Sequence, residues 1–167
     1  MKNQTQKKYP KKYIPSYLSL SNSEIIKNEI DRSQREYKKG KYHVRKHVKS
    51  TKKVGSKHVR NAKKIYNVKT LKLNKSLSKK TGCSINSLNK IIKKGKGAYF
   101  TGSRPNQTPH SWGIARMASA ITGGKSAAVD FKILKEGCKK NSLALKLAKQ
   151  SVKKHKRGTR KVPKRIM

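Results

Sequence analysis

The sequence has 167 residues, of which 46 are Lys or Arg and 6 are Asp or Glu, so its formal net charge is +40. Only 32% of the residues are hydrophobic, well below the roughly 45–50% of an ordinary soluble domain. No apolar run approaches the about 18 residues that span a membrane, and the basic N-terminus lacks the apolar segment of a secretory signal. We therefore expect one small domain whose charge is neutralised by a polyanionic partner.

Helical patterns occupy most of the chain and predict a mainly α fold of five or six helices, with a glycine-rich irregular segment near 95–108 and disordered basic ends. Serine and threonine at candidate N-caps and glycine after several apolar stripes mark the helix boundaries. In chain order, the helical stretches cover 24–39 with Ser23 as cap, 56–66, the close pair 72–80 and 84–94, then 109–122, 126–136 and a last one from Asn141 or Ser142.

The charge is unevenly distributed and suggests how the chain is organised. We expect a flexible basic N-terminus over 1–15, a single mostly helical domain over 16–152 and a disordered basic tail over 153–167. Within the domain, the segment 38–96 is lysine-rich, whereas 98–131 carries four charged residues and holds Trp112, the only tryptophan. A uniquely specified structure is therefore expected first in this neutral, aromatic and glycine-rich kernel.

Two cysteines, Cys83 and Cys138, lie 55 positions apart. A single distant pair is not the dense cysteine spacing of a disulfide-stapled secreted domain. We expect both to be small buried thiols in a reducing compartment.

The segment from Ser76 to Lys93 has the spacing of a helix-turn-helix unit. Gly82 would form the sharp turn and Ser84 would cap the second helix, while Leu77 and Leu88 would be buried. Asn86, Asn89, Lys90 and Lys93 would then form an exposed side suited to phosphates or base edges. The alternative is an ordinary helical hairpin whose surface is basic.

The stretch from Gly95 to Arg116 is the part that composition explains least. Arg104 could contact a phosphate, and Tyr99 or Trp112 could stack on a flipped-out base. A catalytic variant would use His110 as acid or base, but no carboxylate lies nearby in the sequence to orient it. Alternatively, Arg104 and Asn106 tie down a turn, Trp112 fills the core and His110 lies on the surface. We assign no catalytic residue and expect a protein that is not an enzyme.

Two further motifs are weak. Gly123-Gly-Lys-Ser126 lacks the upstream glycine and the strand of a phosphate-binding loop, so it is interpreted as a helix end followed by a new helix start. The backbone amides at that start could still hold one anion. His43 and His47 have no nearby cysteine or carboxylate in the sequence to complete a metal site. We therefore predict no metal and no cofactor.

The segments from Gly97 to Arg116 (GAYFTGSRPNQTPHSWGIAR) and from Ser119 to Lys125 (SAITGGK) resemble a family of small basic proteins of unknown function from giant DNA viruses. Weaker likeness extends from about residue 10 to 140. The resemblance implies a viral origin and a location in the host cytoplasm or viral factory, where thiols stay reduced. It implies no activity, and no catalytic residue is carried over.

Together these features favour a viral nucleic-acid-binding protein that neutralises the phosphate backbone and is carried in the virion with the genome. Lysine outnumbers arginine by 37 to 9, which suits sequence-independent contacts with DNA. One alternative is a minor structural protein of the virion shell that contacts acidic capsid proteins or membrane; another is an enzyme acting on nucleic acid through 97–116. The basic tail could also direct nuclear import. The candidate nucleic-acid-binding residues are Lys79, Lys80, Asn86, Asn89, Lys90, Lys93, Lys94, Lys96, Arg104, Arg116 and Lys125, with Tyr99 and Trp112 for stacking.

Overall fold

The computed structural model describes residues 6–52, 54–156 and 163–167, and within these ranges the chain is mainly helical, as predicted. The helices are α1 (Leu20–Lys38), α2 (Lys57–Ile65), α3 (Lys75–Thr81), α4 (Ile85–Thr101), α5 (Pro109–Ile121), α6 (Lys125–Val129), α7 (Phe131–Gly137) and α8 (Leu143–His155). Two short strands, β1 (Lys8–Pro10) and β2 (Lys164–Ile166), form an antiparallel sheet. None of the described helices is long and apolar enough to cross a membrane.

The chain divides into two compact units, where the sequence suggested one domain over 16–152. Unit 1 contains the described residues of 1–53, 100–108 and 161–167, and unit 2 those of 54–99 and 109–160. Each unit has its own cluster of buried hydrophobic side chains. The neutral kernel 98–131 is consequently shared between the two units and does not form a separate nucleus.

Unit 1 is built on α1 and on the small sheet that joins the two ends of the chain. In this sheet Tyr9 lies opposite Arg165, and the ring of Tyr9 and the side chain of Ile14 are buried against α1 residues such as Ile30. The described parts of both ends therefore have a defined structure, contrary to the expected disorder; residues 1–5 and 157–162 lie outside the described residues. Helix α1 also begins earlier than predicted, with Ser19 as its cap.

Unit 2 has an aliphatic and alanine-rich core. Helix α5 packs against α2, α6 and α8, and α8 also contacts α6 and α7. Helices α4 and α5 approach at two glycines: a Cβ atom added to Gly95 would lie 2.7 Å from the Cα atom of Gly113. The small residues at this crossing allow the two helix backbones to come close enough for the surrounding side chains to interlock.

Helix α4 is longer than predicted, so the irregular segment begins at Gly102 and not near residue 95. Glycine disfavours a helix by about 1 kcal/mol, but Gly95 is buried in the contact with α5, and Tyr99 is fully buried farther along. The burial that a continued helix provides offsets this cost. The helix ends just before Gly102, which has a φ of +143°.

The prediction of two free thiols was wrong, because Cys83 and Cys138 form a disulfide. They face each other in an antiparallel bridge with their Cα atoms 3.9 Å apart. The amide of Ser84 donates to the carbonyl of Gly137, and the amide of Lys139 donates to the carbonyl of Gly82, both at 2.8 Å. Both cysteines are buried, as predicted. A separation of 55 residues carries no sign of this contact in the sequence.

Candidate nucleic-acid interface

The predicted helix–turn–helix segment exists as α3, a tight turn and α4. Gly82 ends α3 in the left-handed conformation with a φ of +71°. The hydroxyl oxygen of Ser84 then accepts a hydrogen bond from the amide of Ser87 at 3.2 Å, which satisfies one of the free amides at the start of α4. Leu77 and Leu88 are buried, as the spacing predicted.

The exposed positions of these two helices are rich in cations. Asn86, Lys90 and Lys93 are exposed, and their spacing of four and three residues places them on one face of α4. We use the name α3–α4 face for six exposed residues of these helices, Lys79, Lys80, Asn86, Lys90, Lys93 and Lys96. Lys94 is also exposed but is left out because it pairs with Asp130. Asn89 is only half-exposed. Most of the residues predicted in this segment are therefore exposed to solvent, where long cationic side chains can reach phosphate oxygens.

Lys94 and Arg116 are held together by the carboxylate of Asp130, a contact that no local sequence pattern predicts. The side chain of Asp130 is 0% exposed. Its Oδ2 accepts from Arg116 Nε at 2.8 Å, and its Oδ1 accepts from Arg116 Nη2 at 2.9 Å and from Lys94 Nζ at 2.8 Å. Burial by itself raises the pKa of Asp130, but the hydrogen bonds from Arg116 and Lys94 outweigh it, so the pKa lies below its ordinary value.

The burial of Asp130 determines which charged groups unit 2 exposes to solvent. Its sequence contains 26 Lys and Arg residues and only two carboxylates, Asp130 and Glu136. Because Asp130 is enclosed, Glu136 is the only carboxylate that the described part of unit 2 exposes. Lys94 keeps 48% of its side chain exposed and Arg116 20%. The charged groups that the described part of unit 2 exposes are therefore almost all cationic.

The candidate residues of 97–116 are divided between the units. Arg104 is exposed in unit 1, whereas His110 is exposed in the first turn of α5 in unit 2 and Trp112 is half-buried there. Tyr99 is 0% exposed, so its ring offers no face to a base and we remove it from the stacking candidates. In unit 1, Asn106 accepts from the Val48 amide at 2.9 Å and donates to the Val48 carbonyl at 3.1 Å. The alternative in which Asn106 ties down a turn is therefore confirmed.

The remaining motifs have structural roles in the described residues. Lys125 is exposed at the first position of α6, and Gly124 is its N-cap, so the interpretation as a helix end and a new helix start is confirmed. His43 lies on a stretch without regular secondary structure, and its Nε2 is 3.0 Å from Oε2 of Glu29. Among the described residues, no group of three or more His, Cys, Asp or Glu could hold a metal ion.

One feature of unit 1 was missed by the sequence interpretation. Tyr37 and Tyr42 are exposed and close together, with ring centroids 6.1 Å apart. The signal was present in the sequence as two tyrosines flanking Lys-Lys-Gly-Lys. Their proximity depends on the turn at Gly40, which local hydrophobic patterns do not predict.

The fold and the surface define a small, strongly basic, mainly helical protein with a cationic face on α3 and α4. The chain belongs to a family of unknown function, described as Family of unknown function (DUF5824), whose model matches residues 10–141. Neither the curated proteins nor the solved structures contain a match to this chain.

Proposed function

We propose that the protein binds nucleic acid, chiefly by neutralising backbone phosphates with the cationic surface of unit 2. The observation that carries this proposal is that the carboxylate of Asp130 is buried and paired with Arg116 and Lys94. A surface with many lysines normally contains carboxylates that pair with some of them. In the described part of unit 2, however, Asp130 is buried and Glu136 is the one exposed carboxylate. Such an uncompensated positive field attracts polyanions and accelerates their association.

The chemistry of the α3–α4 face favours phosphate contacts over base reading. Its cations are Lys79, Lys80, Lys90, Lys93 and Lys96, and a lysine ammonium is a compact point charge without the planar fork that arginine offers to a guanine edge. Binding should therefore be largely independent of sequence and strongly dependent on salt. If six to ten phosphates are contacted, affinity for duplex DNA should fall by roughly three to five decades between about 50 and 200 mM salt.

The test is a fluorescence anisotropy titration of duplex DNA over that salt range. Replacing Lys90 and Lys93 by Gln should reduce the slope of log affinity against log salt by roughly two. A matched control replaces Lys149 and Lys153 by Gln, which removes the same charge from exposed positions of α8. Equal losses for both double variants would contradict the assignment to the α3–α4 face, and binding without salt dependence would contradict the proposal as a whole.

A second candidate function, a minor structural protein of a virion shell, is supported by the disulfide between Cys83 and Cys138. Disulfides persist in oxidising settings, which include the surfaces of virus particles, and are rare in a reducing cytoplasm. The positive surface would then contact acidic shell proteins or membrane. Quantitative mass spectrometry of separated shell and genome-containing core fractions distinguishes the two functions, because a genome-binding protein should be recovered with the core.

A further inference from the structure

An aromatic cluster lies at the end of α1 in unit 1. The ring of Phe100 is the buried base of this cluster, with only 7% exposure. Tyr37 stacks on it with centroids 5.4 Å apart and an interplanar angle of 18°, and Tyr42 leans on it at 5.2 Å and 51°. Tyr37 is 36% exposed and Tyr42 is 72% exposed. One tyrosine ring is therefore held in place by aromatic contacts while most of its surface faces solvent.

A specific turn brings the two tyrosines together. Helix α1 ends at Lys38, and the amides of Gly40 and Lys41 donate to the carbonyls of Tyr37 and Glu36 at 3.0 and 2.9 Å. Gly40 has a φ of +74° and an added Cβ atom would meet nothing within 4 Å, so the backbone conformation alone favours glycine here. This turn reverses the chain within five residues and places Tyr42 beside Tyr37.

The turn between the two tyrosines is also rich in lysine. Lys38, Lys39 and Lys41 are all exposed between the two tyrosines in the sequence. An apolar protein partner would have to bury or displace these ammonium groups at a considerable desolvation cost. A ligand that combines flat aromatic faces with regularly spaced negative charge matches both features, and single-stranded nucleic acid has this combination.

We propose that Tyr37, Tyr42 and the intervening lysines form a platform that binds unpaired bases of single-stranded DNA or RNA. A base stacks on the exposed face of Tyr42, and the lysines contact the phosphates on either side. Duplex DNA is a poorer ligand here because its bases already stack on each other and would have to be extruded. This inference rests on the proposed function and adds to it a preference for single strands at a site outside the α3–α4 face.

The experiment compares two probes that carry the same charge. One is a twelve-residue oligothymidylate, and the other is an abasic deoxyribose-phosphate strand of the same length. Stacking of one base adds roughly tenfold or more in affinity, so we expect the wild-type protein to prefer oligothymidylate by about that factor. Because this measurement needs no variant, its result is independent of any effect of mutation on folding.

Three variants then locate the preference. Tyr42→Ala should bind both probes equally, whereas Tyr42→Phe, which keeps the ring, should retain the preference. Lys41→Gln should weaken both probes equally and reduce the salt slope by roughly 0.7. Equal affinity of the wild-type protein for the two probes, or a preference that survives Tyr42→Ala, would overturn the platform. Duplex binding that retains its salt dependence would then leave the proposed function standing, so the two failures are distinguishable.

Discussion

Unit 1 and unit 2 use their few carboxylates in different ways. Unit 1 contains four carboxylates among 20 Lys and Arg residues, whereas unit 2 contains two among 26. In unit 1, Asp31 pairs with Lys7 and accepts from the hydroxyl of Tyr9, and Glu29 bonds to His43. These are links between the chain end, α1 and the segment that follows it. Among the described residues of unit 2, the ion pairs are those of the buried Asp130 with Lys94 and Arg116.

The environments of these links show what each unit depends on. Burial raises the pKa of Glu29, but hydrogen bonds from the Lys46 amide and from His43 outweigh it and keep that pKa below its ordinary value. Burial, followed by the contact with Asp31, raises the pKa of Tyr9. Unit 1 is thus held by several partly exposed polar contacts around a small core, while unit 2 relies on helix packing, one buried ion cluster and a disulfide. In both units the buried or half-buried carboxylates Glu29, Asp31 and Asp130 serve structure, and most of the lysines are exposed to solvent.

The largest expected difference between the units follows from the disulfide of unit 2. Cys83 and Cys138 close a loop with a sequence separation of 55, and a cross-link of this length stabilises by about 4 kcal/mol through the entropy of the unfolded chain. In the Cys83→Ala, Cys138→Ala double variant the free energy of unfolding should fall by about that amount. Urea unfolding monitored by the fluorescence of Trp112, the only tryptophan, measures it. Amide exchange in α1 should change little; an equal loss in both units would mean that they unfold together.

The second prediction concerns the enclosed carboxylate. Asp130→Asn leaves Arg116 and Lys94 without their counter-charge in a site where the carboxylate is fully buried. Breaking a buried pair in this way costs about 3 kcal/mol. Measured by urea unfolding, the variant should be destabilised by that amount at neutral pH.

The dependence of this loss on pH provides the control. Because the pKa of Asp130 is lower in the folded protein than its ordinary value of about 4, its contribution to stability is complete above that ordinary value. The contribution is lost as the pH falls through the folded-state pKa. Wild type and Asp130→Asn should therefore converge in stability in strong acid, and a constant difference down to low pH would contradict the ion cluster.

Local patterns predicted the helices of this chain better than its contacts. Ser56, the predicted start of its stretch, caps α2, and Ser142, one of two predicted starts, caps α8. Gly82 forms the predicted turn. These features depend on neighbouring residues, so the sequence displays them. The disulfide and the ion pairs of Asp130 join residues that are distant in the chain. The two units are likewise assembled from segments that are far apart in the sequence. No local pattern encodes such contacts. The same limit explains why Tyr99 was proposed to stack: its burial depends on the length of α4.

The third prediction tests the packing of α4 on α5 in unit 2. A Cβ atom on Gly113 would lie 2.7 Å from the carbonyl oxygen of Ile92, which belongs to the helix backbone and has little freedom to move. Gly113→Ala should therefore destabilise unit 2 by about 2 kcal/mol through overpacking. Gly55→Ala is the matched control, since nothing lies within 4 Å of its added Cβ atom. If the thermal melts of the two variants coincide, α4 and α5 are not in close contact.

The smallest expected effect is in unit 1, where the polar links are partly exposed. Glu29→Gln removes the charge that faces His43 but keeps an oxygen that can accept from the Lys46 amide, so it should cost only about 1 kcal/mol. The loss should be visible above the ordinary pKa of a glutamate and should shrink as the pH falls through the lowered pKa of Glu29. Amide exchange of Lys46 measures it directly, because that amide is the donor. A loss as large as that of Asp130→Asn would mean that unit 1 also depends on an ion pair shielded from water, and the contrast between the two units would fail.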